Sequence, residues 1–129
     1  MRLLCADLDA SSNDIGKKCV GMPAPGSLAL PALEGLNLAN NNLGPQIPQG
    51  AMDWCPSVRA ASFNNNDIVS FVDSPPWAQL QYLNLANNDL RLVPSLSRSP
   101  YLRQLYLESN NLRDDQVPHP YSCIAVYGQ

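Results

Sequence analysis

The stretch LQYLNLANNDL, residues 80–90, has leucine at its first, fourth, sixth and eleventh positions and asparagine at its ninth. The same arrangement recurs as LEGLNLANNNL at 33–43, VRAASFNNNDI at 58–68 and LRQLYLESNNL at 102–112. A weaker copy, CADLDASSNDI, precedes them at 5–15. We number the eleven positions of each copy as slots one to eleven. Five copies at a nearly constant period predict a repeated structural unit.

The fourth and sixth slots predict one short β-strand in each copy. Residues two apart in an extended chain point to the same side, so Leu83 and Leu85 share one face. A single strand of this length is not stable in water, and copies stacked ~4.8 Å apart would pair their backbones. The first and eleventh slots, which are also apolar, then complete the interior. The pattern therefore predicts a parallel sheet that gains one strand per copy.

The ninth slot predicts a column of structural asparagines inside the stack. After each strand the chain turns away, which leaves backbone N–H and C=O groups without strand partners. A carboxamide can donate and accept at once, so one asparagine per coil can satisfy those groups. The predicted ladder consists of Asn13, Asn41, Asn66, Asn88 and Asn110.

The pattern L-x-x-L-x-L-x-x-N-x-L is similar to the signature of leucine-rich repeat proteins. This resemblance implies an α/β solenoid: an arc with a parallel sheet of about five short strands on its concave face. Its convex segments would be irregular, 3₁₀ or short helical, and we expect one longer helical attempt between Gly44 and Pro56. The prediction is a single domain over 1–129, with repeats starting near 5, 33, 58, 80 and 102. Residues 113–129 would form either an incomplete cap or a sixth repeat opening at Ile124.

Three finer resemblances imply different functions. The 22-residue spacing, with Leu90, Val93 and Leu96 three apart, resembles the short intracellular class, whose members are protein-binding subunits. The phrases GLNLANNNL, YLNLANNDL and LYLESNNLRD are similar to the leucine-rich domain of nuclear mRNA export receptors. The stretch NNLGPQIP at 41–48 is similar to plant-type extracellular receptor repeats. The first implies an adaptor or regulatory subunit, which is our primary prediction, and the other two remain alternatives.

The binding surface is predicted on the strand positions that face away from the core. Slots two, three, five, seven and eight point outward in this interpretation, and tyrosine and arginine contribute most to binding energy at interfaces. We expect a helix or an extended peptide of another protein on the concave face. The predicted contact residues are Arg59, Tyr82, Asn84, Arg103, Gln104, Tyr106 and Glu108.

Composition argues against several other functions. With 15% charged residues and a formal charge of -3, the chain lacks the basic surface that grips a nucleic-acid backbone. His119 is its one histidine, and no motif of a nucleophile or a metal site accompanies it. We therefore predict no enzyme activity, no cofactor and no metal. No apolar run is long enough for a membrane span.

The cysteines and the asparagines indicate an intracellular chain, cytoplasmic or nuclear. The four cysteines, Cys5, Cys19, Cys55 and Cys123, show neither C-x-x-C spacing nor terminal clustering, so we interpret them as free thiols. No asparagine begins an N-x-[ST] sequon, and the opening MRLLCADLDA has no apolar run typical of a signal peptide.

Overall fold

The computed structural model describes residues 7–13, 31–72 and 74–112, together with the backbone of 125–127. Eight strands occur in these segments: β1 Asp7–Asp9, β2 Gly35–Asn37, β3 Gln46–Ile47, β4 Ala60–Ser62, β5 Ser70–Phe71, β6 Tyr82–Asn84, β7 Gln104–Tyr106 and β8 Ala125–Tyr127. The strands β1, β2, β4, β6, β7 and β8 form one sheet in that order. Every pairing in it is parallel, as predicted for a solenoid that gains one strand per coil.

The register follows the repeat slot by slot. Leu36 pairs with Ala61, Ala61 with Leu83, and Leu83 with Leu105, so fourth slots lie side by side. The sheet has six strands where about five were expected, because β8 pairs with β7 and continues it. Of the two alternatives for the end of the chain, the backbone at 125–127 takes the strand. The remainder of 113–129 lies outside the described residues.

The core is formed by the slots that the sequence assigned to it. Leu80, Leu83, Leu85 and Leu90 of one coil are all fully buried. Burying one such side chain stabilises the fold by about 1.5–3 kcal/mol, so the stacked leucines dominate stability. Equivalent slots in the other coils are buried as well: Leu33, Leu36, Leu38, Leu43, Val58, Ala61, Phe63, Ile68, Leu102, Leu105 and Leu107.

The coil from residue 58 exchanges volume between two core slots. Its fourth slot holds Ala61 and its sixth holds Phe63, where other coils carry leucine at both. The larger ring fills the added space by stacking on Trp77, with centroids 6.0 Å apart, and by meeting Phe71 edge-on at 6.0 Å. Close packing of the interior is thereby kept despite the two substitutions.

The back of the solenoid is made of turns and a second, two-stranded sheet. Between Gly44 and Pro56, where a helical attempt was expected, the described backbone instead forms successive turns that bond Ala51 N–H to Pro48 O and Asp53 N–H to Gly50 O. The proline and glycine content of this segment disfavours a continuous helix. Trp54 and Trp77 are both buried here, as convex-side packing residues should be, and Trp77 Nε1 donates to Cys55 O at 2.9 Å.

The second sheet pairs β3 with β5 in parallel, a feature that the sequence did not predict. Its last rung is the bond from Val72 N–H to Ile47 O, 2.9 Å long. In the next coil, Pro94 occupies the place that corresponds to Val72, by the same offset that relates Ala60 to Tyr82. Proline has no N–H to donate, so the rung that Val72 makes cannot be repeated there.

Candidate functional site

The candidate site is the outer face of the six-stranded sheet, formed by the third and fifth slots of each strand. These slots point away from the buried fourth slot. In strand order the third slots are Asp7, Gly35, Ala60, Tyr82 and Gln104, and the fifth slots are Asp9, Asn37, Ser62, Asn84 and Tyr106. The side chains therefore change along the sheet from acidic, through small, to aromatic. We call this surface the outer sheet face.

Two of the predicted contact residues, Tyr82 and Tyr106, lie against each other on this face. Their ring centroids are 5.3 Å apart with the planes tilted by 49°. Both residues are half-buried, and the Tyr82 hydroxyl accepts a hydrogen bond from Asn84 Nδ2 at 3.4 Å. Aromatic pairs of this kind offer a large, rigid surface with polar groups at its edge. The pair is the largest apolar feature that the described strands present outward.

Asn84 also has a structural task that the sequence did not indicate. Its Oδ1 accepts the N–H of Ala86 at 3.0 Å, and Asn37 holds the N–H of Ala39 at the same distance. Asp9 makes the equivalent bond to Ser11 N–H, also 3.0 Å. This is the Asx turn, in which a side-chain oxygen binds the backbone two residues on. The fifth slot therefore helps to close the turn after the strand.

The predicted arginines and glutamine lie on the same side of the molecule. Arg59 is exposed, and its Nε is 3.7 Å from Glu34 Oε1 on the neighbouring coil. Arg103 is exposed at the aromatic end, and Gln104 beside it is half-buried. An exposed ion pair contributes only ~0–1 kcal/mol, so the Arg59 side chain can exchange its partner at little cost. Whether these residues contact a partner remains a prediction.

The seventh slot is less exposed than predicted. Ala39 and Ala86 are buried there, so the expectation that this slot is free of packing is wrong for these two coils. Glu108, which was predicted as a contact, occupies the same slot and is half-buried. Its Oε2 atom is buried and has no hydrogen-bond partner among the described residues. The chain bends toward the interior immediately after the strand, which draws this slot under the next turn.

The eighth slot is set by backbone conformation. Ser12, Asn40, Asn65, Asn87 and Ser109 all have a φ between 55° and 58°. This left-handed region is unfavourable for most residues, and asparagine is among those enriched in it. The frequent asparagine of this slot is thus explained by the turn, independently of any partner.

The ninth-slot asparagines bond adjacent coils to each other. Asn66 Nδ2 donates to Phe63 O of its own coil at 2.8 Å and to Leu38 O of the preceding coil at 3.0 Å. Its Oδ1 accepts the N–H groups of Asn41 and Leu43. Asn13, Asn41, Asn88 and Asn110 make corresponding bonds. The ladder fixes the spacing of the strands and with it the positions of the outer side chains.

A shallow hollow lies at the acidic end of the outer sheet face, enclosing about 460 Å³. Gly35, Ala60 and Ser62 are among its lining residues, and Asp7 and Asp9 stand at its end. A Cβ atom on Gly35 would collide with Oδ1 of Asp7, which places that carboxylate over the glycine. The sequence showed that this end is small and acidic, but only the register shows that the small side chains are neighbours.

The charge of Asp9 is favoured by its surroundings. The hydrogen bond from the Ser11 hydroxyl, 2.6 Å long, and that from the Ser11 backbone lower the pKa of this exposed carboxyl below its ordinary value. Both bonds are made to the ionised form, which is why they lower the pKa. Asp9 therefore carries a negative charge at neutral pH.

No cluster of three or more metal-binding side chains occurs among the described residues. No helix in that part of the chain is long and apolar enough to cross a membrane. His119, together with Cys5, Cys19 and Cys123, lies outside the described residues. Cys55 is a buried free thiol, as predicted.

Comparison with known proteins agrees with this geometry. Residues 79–99 match the family model of the Leucine Rich Repeat. This chain is built from leucine-rich repeats. Over 87 residues it is 37% identical to podocan-like protein 1 of Homo sapiens, an alignment that covers 65% of this chain and 17% of the relative.

Over 94 residues the leucine-rich repeats are 34% identical to an adenylate cyclase of Podospora anserina, covering 70% of this chain and 4% of that relative. The chain thus spans less than a fifth of the length of either relative. No solved structure matches it.

Proposed function

We propose that these leucine-rich repeats form a protein-binding module, an adaptor or a regulatory subunit, whose partner lies on the concave outer sheet face. The observation that carries this proposal is the Tyr82–Tyr106 pair, held half-buried at 5.3 Å on a sheet face that has no other element over it among the described residues. Tyrosine in a rigid setting loses little conformational freedom on binding and buries a large area.

The framework under the pair supports the same function. Leu83 and Leu105, which lie beneath the pair on β6 and β7, are fully buried, and Asn88 and Asn110 bond their coils to the neighbouring ones. A rigid framework keeps the tyrosines in one arrangement before a partner arrives. Pre-organisation of this kind lowers the cost of association. The exposed Arg103 extends the surface with a group that can pair with a carboxylate.

We also propose that the module has no catalytic activity of its own and works inside the cell, in the cytoplasm or the nucleus. The absence of N-x-[ST] sequons in a sequence so rich in asparagine supports this location. A fluorescent fusion of the natural full-length protein, imaged in its own cells, tests it. Signal confined to the secretory pathway would contradict the proposal.

The binding proposal is tested by photo-crosslinking followed by affinity measurement. p-Benzoylphenylalanine is placed at position 106 on the outer sheet face and, as a control, at position 101. Tyr101 is also a tyrosine and is 59% exposed, but it precedes the strand. We expect a specific adduct from position 106 alone, and its protein component is identified by mass spectrometry.

The identified partner is then purified and titrated against two variants. Tyr106→Ala should weaken binding about tenfold or more, since interface anchors cost ~2 kcal/mol or more when truncated. Tyr101→Ala should leave the affinity unchanged. The melting temperatures of both variants should stay near that of the parent protein. Equal affinities for the two variants would reject the proposed surface.

A further inference from the structure

We propose that the hollow beside Asp7 and Asp9 takes the side chain of an arginine or lysine, carried by an extended partner segment that also packs on Tyr82. This inference rests on the proposed function and names the chemistry of the partner. It follows from the order of side chains along the outer sheet face, acidic, then small, then aromatic.

The shape of the hollow fits a long, thin side chain. Gly35 has no side chain and Ala60 and Ser62 have short ones, so the sheet surface is depressed over two adjacent strands. On one side stands Asp7, whose carboxylate lies over Gly35. On the other side Tyr82 occupies the third slot that follows Ala60 in the register. The aliphatic stem of lysine or arginine can lie along such a floor with its charge at the end.

The charges around the hollow favour a cation. Asp7 and Asp9 lie on the same face of β1 and end the hollow. Arg59, the nearest described cation on the following coils, already lies within 3.7 Å of Glu34. A guanidinium or ammonium group in the hollow would therefore meet carboxylates at one end and the π-face of a tyrosine toward the other. An acidic partner side chain would be repelled at the same place.

The spacing favours an extended segment. From Asp7 to Tyr82 there are three inter-strand steps, which amount to about 14 Å. An extended chain covers that distance in about four residues at ~3.3 Å each. A helix laid across the same strands would need about nine residues at ~1.5 Å each. A basic residue and an aromatic or apolar residue about four positions apart would thus engage both ends together.

The probe for this proposal is a set of immobilised ten-residue peptide pools. Each pool fixes phenylalanine at one position and one test residue four positions before it, with all other positions degenerate. The test residue is arginine, lysine, citrulline or glutamate, and citrulline is the uncharged counterpart of arginine. The amount of purified protein retained by each pool is measured at low and moderate salt.

We expect the arginine and lysine pools to retain about ten times more protein than the glutamate pool, with citrulline in between. The double variant Asp7→Arg/Asp9→Arg should invert the order. Asp67→Arg/Asp89→Arg makes the same charge change at exposed sites off this face and should preserve the order. Ala60→Trp fills the hollow without changing charge and should abolish the preference while the protein stays folded.

Equal retention by all pools, no retention by any, or inversion by the Asp67/Asp89 variant would overturn the proposal. A partner crosslinked at position 106 in the presence of equal retention would overturn this inference and leave the proposed function standing. Absence of both a crosslink and a preference would reject the two together.

Discussion

The side chain of Asn66 hydrogen-bonds to the backbone of the preceding coil in both directions: Nδ2 donates to Leu38 O, and Oδ1 accepts from Asn41 N–H. The two distances are 3.0 Å and 2.9 Å. One carboxamide therefore satisfies backbone donors and acceptors that belong to a different copy of the repeat.

Replacing this carboxamide should weaken the whole stack. Asn66→Ala leaves buried backbone groups unpaired at ~1–3 kcal/mol each, so we expect a loss of about 3 kcal/mol or more in the free energy of unfolding. Urea denaturation followed by circular dichroism measures it. Asn64→Ala makes the same change two residues earlier at a half-buried site and should cost well under half as much. Equal urea midpoints for the two variants would contradict a structural ladder.

The core slots allow a comparison of one substitution at two depths. Leu85 is fully buried, whereas Leu92 is 56% exposed. Leu85→Ala should destabilise the protein by about 2–5 kcal/mol through lost burial and the cavity it leaves. Leu92→Ala should change stability by less than ~0.5 kcal/mol. Thermal and urea unfolding of both proteins measure the difference, and similar values would show that the core is not where we place it.

The eighth slot predicts an unusual preference for glycine. Asn87 has a φ of 55°, which is readily accessible to glycine and unfavourable for a β-branched residue. We expect Asn87→Gly to be neutral within a few tenths of a kcal/mol and Asn87→Val to cost ~1–2 kcal/mol. Denaturation midpoints of the two variants give the answer. At the neighbouring, exposed Asp89, whose φ is not in this region, the same pair of substitutions should lack this order.

The buried thiol of Cys55 should be chemically inert in the folded protein. Burial raises its pKa to about 12, against the opposing hydrogen bond from Trp77 and with a small contribution from Asp53. Since the thiolate is the reactive form, alkylation at pH 8 should be far slower in the native state than in urea. The measurement uses a Cys5→Ser/Cys19→Ser/Cys123→Ser background. Exposed Ser97→Cys with Cys55→Ser is its control.

The same shift fixes the pH range in which the thiol affects stability. Below pH 9.0, the ordinary pKa, folded and unfolded states both hold the proton. Between this value and about 12 the unfolded state releases it first, so stability falls as the pH rises. Fast native alkylation of Cys55 at pH 8, comparable to that of the Ser97→Cys control, would contradict its burial.

Much of this fold can be predicted because the repeat puts each side chain in a fixed slot. The spacing of Leu83 and Leu85 gives a strand, and the copies give its neighbours and its parallel direction. The roles of Ala86 and Asn87 are less accessible to sequence reasoning. Alternation predicts which face of a strand a residue occupies, but one residue past the strand the chain turns and the alternation no longer applies.

The second sheet and the hollow depend on relations between coils. The pairing of Gln46 with Ser70 requires two segments from different linkers to reach the same height, and no signal within either segment encodes that. The hollow likewise arises because Gly35 and Ala60 come from copies with different sequences and meet only through the register. For the outer sheet face, the sequence could indicate residue types, and the structure supplies their order.

The equal offset of the last coils makes the distance between the two ends of the outer sheet face adjustable in discrete steps. Tyr82 and Gln104 pair in register and occupy equivalent places on adjacent strands. Duplicating one such coil between β4 and β6 would move the tyrosines away from the aspartates by a single increment of ~4.8 Å. Gene duplication could thus lengthen the ruler by which this surface measures a ligand without redesigning either end.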